Sequence, residues 1–589
     1  MASAALVALA AATCSSTPEN ATATSGPGGA STSTVSGGGK GNGEGGLFNA
    51  STGAGGGAAP TSLCTGDLRG VLDETGKLVM TCPPDQGCLE GKCVAPCDAA
   101  DGSHSTLGCT YYAIQAPMTG GDKGSSLRGG CFASVVVNQW PTPVTLSVSR
   151  AGTSFSAESV GRLLGTDGMG NLVYDPLPGG VLPPNQAAVL FLSRDPTLSN
   201  NTVACPAGTS PAISTDGAAE ETGLGDAFQI STDRPVTAYS VFPWGGAPSY
   251  VPSATLLFPV SAWEKGYVAP GIADKYVVPK TSTFECHAFM MVAASQDDTH
   301  VTLVPTVDVV PGMVAGASAN TPVTYDLARG QYLLITQIHN LGGSVIGADK
   351  PVGLWIGSDL FMVPANTPDA DATTAMIPPL HALGSEYVGA TFALTAPTPW
   401  QIVGVVDGTK LTYDPAPPAG APTSIDARQV LEFDAQAEFT VKSQDANHPF
   451  FMAVYRRGDA PKAPSGPDYV PLLTPPQYRA QYVFATDPTY KTTTLVFIRK
   501  KGPSGFADVA LDCVASITGW MPIGSAGIYE VARVGFGSGN DCKNGVREAH
   551  SDNPFGLTVW GWDFAASYGY PAGGNLAPVN NVEVPPVPK

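Results

Sequence analysis

Seven histidines and a thin scatter of carboxylates are what this chain brings to acid–base or metal chemistry. His104, His287, His300, His339, His381, His448 and His550 show no His-x-x-x-His or equivalent ligand spacing. His300 stands at a hairpin turn and His448 precedes a proline, the setting of solvated turn residues. Two spaced carboxylates can cleave a glycosidic bond. The candidates Asp297, Asp298 and Asp407 all fall at turns, where Asp serves its own backbone hydrogen bonds. Asp369-Ala-Asp371 and Asp167-Gly-Met-Gly-Asn171 are oxygen-rich but fall short of a calcium loop's ligand count. No Gly-x-Ser-x-Gly elbow and no phosphate loop is present, and the glycine run at 39–45 follows no strand and opens no helix. The expectation is a chain with no catalytic residue, no metal and no cofactor.

Twelve cysteines carry the remaining reactivity. Cys14 ends the short apolar run Ala4–Thr13, which reads as a bacterial signal peptide with a lipobox over 1–14. Cys14 would then be lipidated. No Lys or Arg precedes the run, and Thr13 replaces the usual small residue. Export makes disulfides the default for Cys64, Cys82, Cys88, Cys93, Cys97, Cys109, Cys131, Cys205, Cys286, Cys513 and Cys542. The sequence pairs Cys109 with Cys131 and Cys513 with Cys542 as local bridges. Eleven leaves one thiol over, with Cys286 and Cys205 the candidates. The crowded stretch 64–97 lacks a partnering His and has uneven spacing, so it reads as a disulfide-stapled mini-domain over 61–104 rather than a zinc site. Among eight tryptophans, Trp355, Trp560 and Trp562 end apolar strands and read as core, and Trp263 and Trp400 as seals between blades. Trp140 and Trp244 sit in loops and are the candidate exposed binding anchors.

The elements that must position these residues are strands. Gly (70) and Pro (53) are abundant and only 13% of residues are charged, a mix that suits many short strands joined by turns. A net charge of −19 argues against nucleic acid and anionic lipid head groups as partners. Residues 15–60 hold almost no large apolar side chain and read as a disordered Gly/Ser/Thr stalk. From 105 to 575 runs rich in Val, Tyr, Phe, Thr and Leu alternate with Gly, Pro, Asp and Asn, with no sustained helical period. Residues 576–589 form a Pro-rich tail.

Four of these stretches repeat about every 100 residues: Ser231-Thr-Asp-Arg-Pro-Val-Thr-Ala-Tyr239, Ala348-Asp-Lys-Pro-Val-Gly-Leu-Trp355, Asp445-Ala-Asn-His-Pro-Phe-Phe-Met-Ala-Val-Tyr455 and Ser551-Asp-Asn-Pro-Phe-Gly-Leu-Thr-Val-Trp560. A Leu/Pro strand and then a Tyr strand follow each of the first three. The fourth copy lacks its Tyr strand, and Leu107–Ile114 aligns with Leu383–Ala390. The N-terminal segment is therefore expected to complete the last unit and close a ring, which would remove an exposed sheet edge. The expected fold is all-β, a propeller-like closed ring of about eight four-stranded blades. The alternative is tandem β-sandwiches with the first strand swapped to the last.

Thr-Asp-Arg-Pro-Val-Thr-Ala-Tyr, Ser-Ala-Thr-Leu-Leu-Phe-Pro, Val-Asp-Gly-Thr-Lys-Leu-Thr-Tyr-Asp-Pro, Ala-Asp-Lys-Pro-Val-Gly and Ser-Tyr-Gly-Tyr-Pro-Ala-Gly573 together resemble the domain at the N-terminus of the IgG Fc-binding mucus protein. Over about 105–575 the chain is most similar to bacterial exported lipoproteins of myxobacteria-like lineages that carry this domain. The resemblance implies extracellular binding or adhesion and brings no catalytic residues. The expected protein is an exported lipoprotein of the outer membrane and cell surface. Its expected partner is an unknown extracellular protein or glycan, with membrane contact through the lipid alone. A secreted polysaccharide hydrolase and a purely structural envelope component are the alternatives.

Overall fold

A proline inside a strand removes one ladder hydrogen bond, so the strand must change partners there. The four repeated prolines do this. The structure is a computed structural model describing residues 63–118, 128–167, 172–198, 203–249, 251–278, 286–367, 370–393, 396–459, 465–514, 516–564 and 566–583. Cys14, the stretch 15–60, Asp369, 168–171 and the end of the tail lie outside them.

Three of the repeated motifs bend a single long strand: Phe228–Phe242, Val345–Phe361 and Gly545–Asp563. In the third copy the strand is split into Phe439–Lys442 and Phe450–Arg456. Val345–Phe361 shows the logic. Before Pro351 it pairs with Glu264–Val268 and Thr299–Val304. After Pro351 it pairs with Ala288–Ala294 and Asp371–Ile377. One strand therefore serves two sheets, and each unit is a two-sheet sandwich. Met290, Val292, Leu354 and Ile356 of one sheet face Val301, Leu303 and Ile346 of the other. Met291, Ala293 and Trp355, on the opposite face, join the core of the first unit. Burial on both faces explains why Phe289-Met-Met-Val-Ala-Ala294 does not alternate.

Each unit opens, rather than closes, on its Tyr strand. The opening strands are Gly108–Ala113, Glu264–Val268, Glu386–Gly389 and Arg479–Thr486. Their tyrosines have a common task. The hydroxyls of Tyr111, Tyr267 and Tyr482 donate to the carbonyls of Val236, Val352 and Phe555, at 2.5, 2.7 and 2.5 Å. Each acceptor is the residue following the repeated proline, so the tyrosine pins the bend. Gly108–Ala113 pairs with Phe228–Phe242 of its own unit, which corrects the expected strand swap. The unit begins one strand earlier than the repeated motif implies, because a cyclic pattern does not reveal where its period begins.

The expected eight four-stranded blades are also corrected. Sharing the long strand merges three of the units into sheets of 10, 8 and 7 strands. Four sandwiches result, nearer the tandem alternative. Their closing strands are Ser253–Leu257, Asp371–Ile377, Asp468–Pro471 and Ala566–Pro571. Each packs on the next, and the last packs on the first. Leu256, Met376, Pro471 and Tyr570, one from each unit, line a common central recess. The two ends of the array meet: Ser105 bridges Asn575, Thr106 N–H donates to the Gly574 carbonyl, and Gly574 N–H donates to Thr106 Oγ1.

The cysteine-rich segment sits on that meeting point. Cys64–Cys88 and Cys82–Cys93 staple it, and Cys97–Cys109 ties its helix Pro96–Ser103 to the first opening strand. Cys131 pairs with Cys205, and Cys513 with Cys542. The expected Cys109–Cys131 bridge is thus replaced, and Cys205 is not the spare thiol. Among the described residues, Cys286 belongs to none of these five bridges, and it is buried.

Candidate binding cleft at the seam

Two loops meet where the fourth unit closes on the first. One is Pro243-Trp244-Gly245-Gly246, at the end of the first long strand. The other is Asp487–Tyr490, after the fourth opening strand. Gly246 lies at φ +56°, and a Cβ there would collide with Thr489 Oγ1. Only glycine permits this approach of backbone to loop. Between the loops and the hairpin Gly161–Thr166 and Leu172–Pro176 lies a cleft.

Aromatic rings form one wall. Tyr239 and Tyr570 pack across the seam with centroids 4.8 Å apart, and Tyr490 meets Tyr568 edge-on at 4.7 Å. Their polar tips are used within the protein. Tyr239 Oη donates to the Ala572 carbonyl at 3.1 Å and Tyr570 Oη to that of Ala485. Asp487 N–H donates to Tyr568 Oη at 3.0 Å, and Trp244 Nε1–H to Tyr174 Oη at 2.9 Å. Burial pushes the Tyr174 hydroxyl up to about 12. Leu164, Leu172, Val135 and Val241 supply the opposite, aliphatic side.

Of the two tryptophans expected as exposed anchors, Trp244 lines this cleft but is itself 5% exposed. Trp140 is elsewhere and buried. Its Nε1–H donates to the Pro84 carbonyl at 2.8 Å, so it seats the cysteine-rich segment. Trp263 does bridge two units, between Tyr112 and Trp355. Trp400 packs on Phe439 inside its own unit. The tyrosine wall went unread in the sequence. Its available signal was Tyr568-Gly-Tyr570, two rings on one face of a strand.

The carboxylates expected at turns are there. Asp297 accepts Arg329 N–H at 3.0 Å, Asp407 accepts Ala427 N–H at 3.0 Å, and Asp298 sits at φ +51°. His300 and His448 pair with Asp326 and Asp445 in exposed positions. Two acidic clusters lie elsewhere. Asp371, Asp468 and Arg456 are at most 2% exposed, and Asp371 is spent on the N–H groups of Ala372 and Ser567. Burial pushes Asp371 well up, Asp468 up to about 7 and Arg456 down to about 9. Sealed in this way, the pair has no substrate to meet. The second cluster joins Arg128, Asp216 and Glu220, with Arg128 Nε 3.0 Å from Glu220. Burial first, then a hydrogen bond shared with Asp216, pushes Glu220 up to about 8. Among the described residues, no group of three or more His, Cys, Asp or Glu could hold a metal ion, and no helix is long and apolar enough to cross a membrane.

The array is all-β and clamped by disulfides, with an aromatic cleft at its seam. Residues 253–561 match the family described as IgGFc binding protein, and with more than half its length matched the chain belongs to that family. It is a family of binding domains, typically extracellular, and the disulfides fit an exported protein. No curated protein matches the chain.

Proposed function

We propose that this chain is a surface-displayed binding protein, anchored through a lipid on Cys14, that presents its four-unit array to an extracellular protein. The observation that carries this reading is membership of a family of binding domains. Two further features support it. The five disulfides suit an oxidising compartment. The buried Asp371–Asp468 pair is closed to substrate, which disfavours the hydrolase alternative.

The full chain, immobilised through its C-terminus, is titrated with Fc fragments, a panel of cell-surface proteins and a glycan array. Saturable binding to a protein is expected. Binding confined to glycans, or turnover of a polysaccharide panel, overturns the reading. The anchor has its own test: palmitate labels the protein, and Cys14→Ala releases it from membranes. Retention of that variant in the membrane fraction refutes the lipid.

A further inference from the structure

We propose that the seam cleft is a binding site for one small uncharged apolar molecule, with the chemistry shared by an acyl chain and an aromatic hydrocarbon. This stands apart from the macromolecular partner proposed above and does not depend on it.

Three observations carry it. The first is shape: a recess walled by strands of the first and fourth units and by the rings of Tyr239, Tyr490, Tyr568 and Tyr570. The second is the direction of the polar groups. The hydroxyls of Tyr239 and Tyr570 and the Trp244 indole N–H all donate to protein acceptors, and Tyr568 Oη receives the Asp487 N–H. What remains facing the space is ring faces and the side chains of Leu164, Leu172, Val241 and Ala254. A sugar placed here would lose the water around its hydroxyls and find few partners in return, at roughly 1–3 kcal/mol for each unmet group. A hydrocarbon loses nothing and sheds its hydration. The third is charge. The one acid of the lining, Asp487, is partly buried, with its Oδ1 taking the Thr489 N–H at 2.8 Å. Burial pushes its carboxyl upward, toward the neutral form. No basic side chain lines the cleft to meet a head group, so a ligand's charged end would have to remain outside.

The test uses the full chain and the uncharged fluorophore N-phenyl-1-naphthylamine. Saturable enhancement with one site per chain is expected, together with quenching of tryptophan emission. Ala485→Phe fills the cleft while keeping the backbone carbonyl that Tyr570 uses, and Leu172→Asp places a charge on its wall. Each is expected to weaken binding at least tenfold, with the melting temperature of the retained fold measured alongside. Laurate and naphthalene are the competing arms. Displacement by laurate alone assigns an acyl chain, by naphthalene alone an aromatic ligand, and by both the shared chemistry. Absence of saturable binding overturns the proposal. So does binding that both variants leave unchanged, which would place the dye on exposed residues such as Met313 or Phe564, or displacement by a neutral oligosaccharide.

Discussion

The first and second units are joined differently from the fourth and the first. Between the first two, the chain passes a strand across. Gly223–Asp226 leaves the first unit and pairs with Gln331–Gln337 of the second. Trp263 then fills the junction, 5.5 Å from Tyr112 and 5.9 Å from Trp355, close over Gly353. At the seam, among the described residues, backbone pairing shrinks to the bridge of Ser105 and Asn575 with its flanking hydrogen bonds. Side chains and the cysteine-rich clasp do the rest. Tyr239 packs on Tyr570, Gln139 Nε2 donates to the Val483 carbonyl at 3.3 Å, and Arg479 reaches the Gly66 carbonyl at 2.6 Å. A junction that is continuous in sequence can be filled with ladder and indole. A junction between distant ends is held mostly by side chains, and here it keeps a cleft.

The comparison breaks most severely if the filled junction is emptied. Trp355→Ala removes a 1% exposed indole from between two units and should cost about 3–5 kcal/mol. In urea titration the first and second units should lose cooperativity while the seam contacts persist. At the seam, the double substitution Cys97→Ser with Cys109→Ser unties the clasp and should cost about 2–4 kcal/mol. Hydrogen exchange should then accelerate at Thr106 and Gly574 and remain unchanged in Ala288–Ala294. Equal acceleration in both places would show that the two junctions are not independent.

A smaller effect separates the junctions by pH. Glu220 sits in the segment that delivers Gly223–Asp226 to the second unit, and its carboxyl is pushed from 4.5 up to about 8. Between those values the folded state holds a proton that the unfolded state has lost. The stability from this group is therefore full below about pH 4.5 and is lost as pH rises through about 8. Partial solvation of Arg128 and Glu220 limits the change to about 1–2 kcal/mol. Intrinsic-rate-corrected exchange at Leu224 and Gly225 should quicken from pH 5 to 8.5, and Glu220→Gln should remove that dependence. Smallest is Trp140→Phe, which deletes the hydrogen bond to Pro84 and should cost about 1 kcal/mol. Faster exchange at Cys88, with Thr106 unmoved, would mark a loosened clasp on an intact seam.

The all-β class and its repeat were legible because Asp/Asn-x-Pro followed by an apolar run is a local signal. What the motif does was not legible. A polar turn and a mid-strand bend look alike, and pairing on both sides of Pro351 is a long-range fact. The identity of Tyr111 with Tyr387 was readable, but its place in the unit was not, since strand order within a cycle needs one known pairing. The cysteines divided similarly. Cys513–Cys542 lies within one unit, whereas Cys97–Cys109 depends on where the clasp docks. Trp244 was visible as a loop tryptophan, but Tyr490, Tyr568 and Tyr570 of the same cleft stand more than 200 positions from it.

The bridge of Ser105 with Asn575 has a mechanical consequence. A pull that reaches Ser105 and Asn575 does not stretch four sandwiches in series, because the two are paired with each other. It levers open one short bridge and the clasp lying over it. The long strands, each shared by two sheets, feel the load only after the cycle has opened into a line.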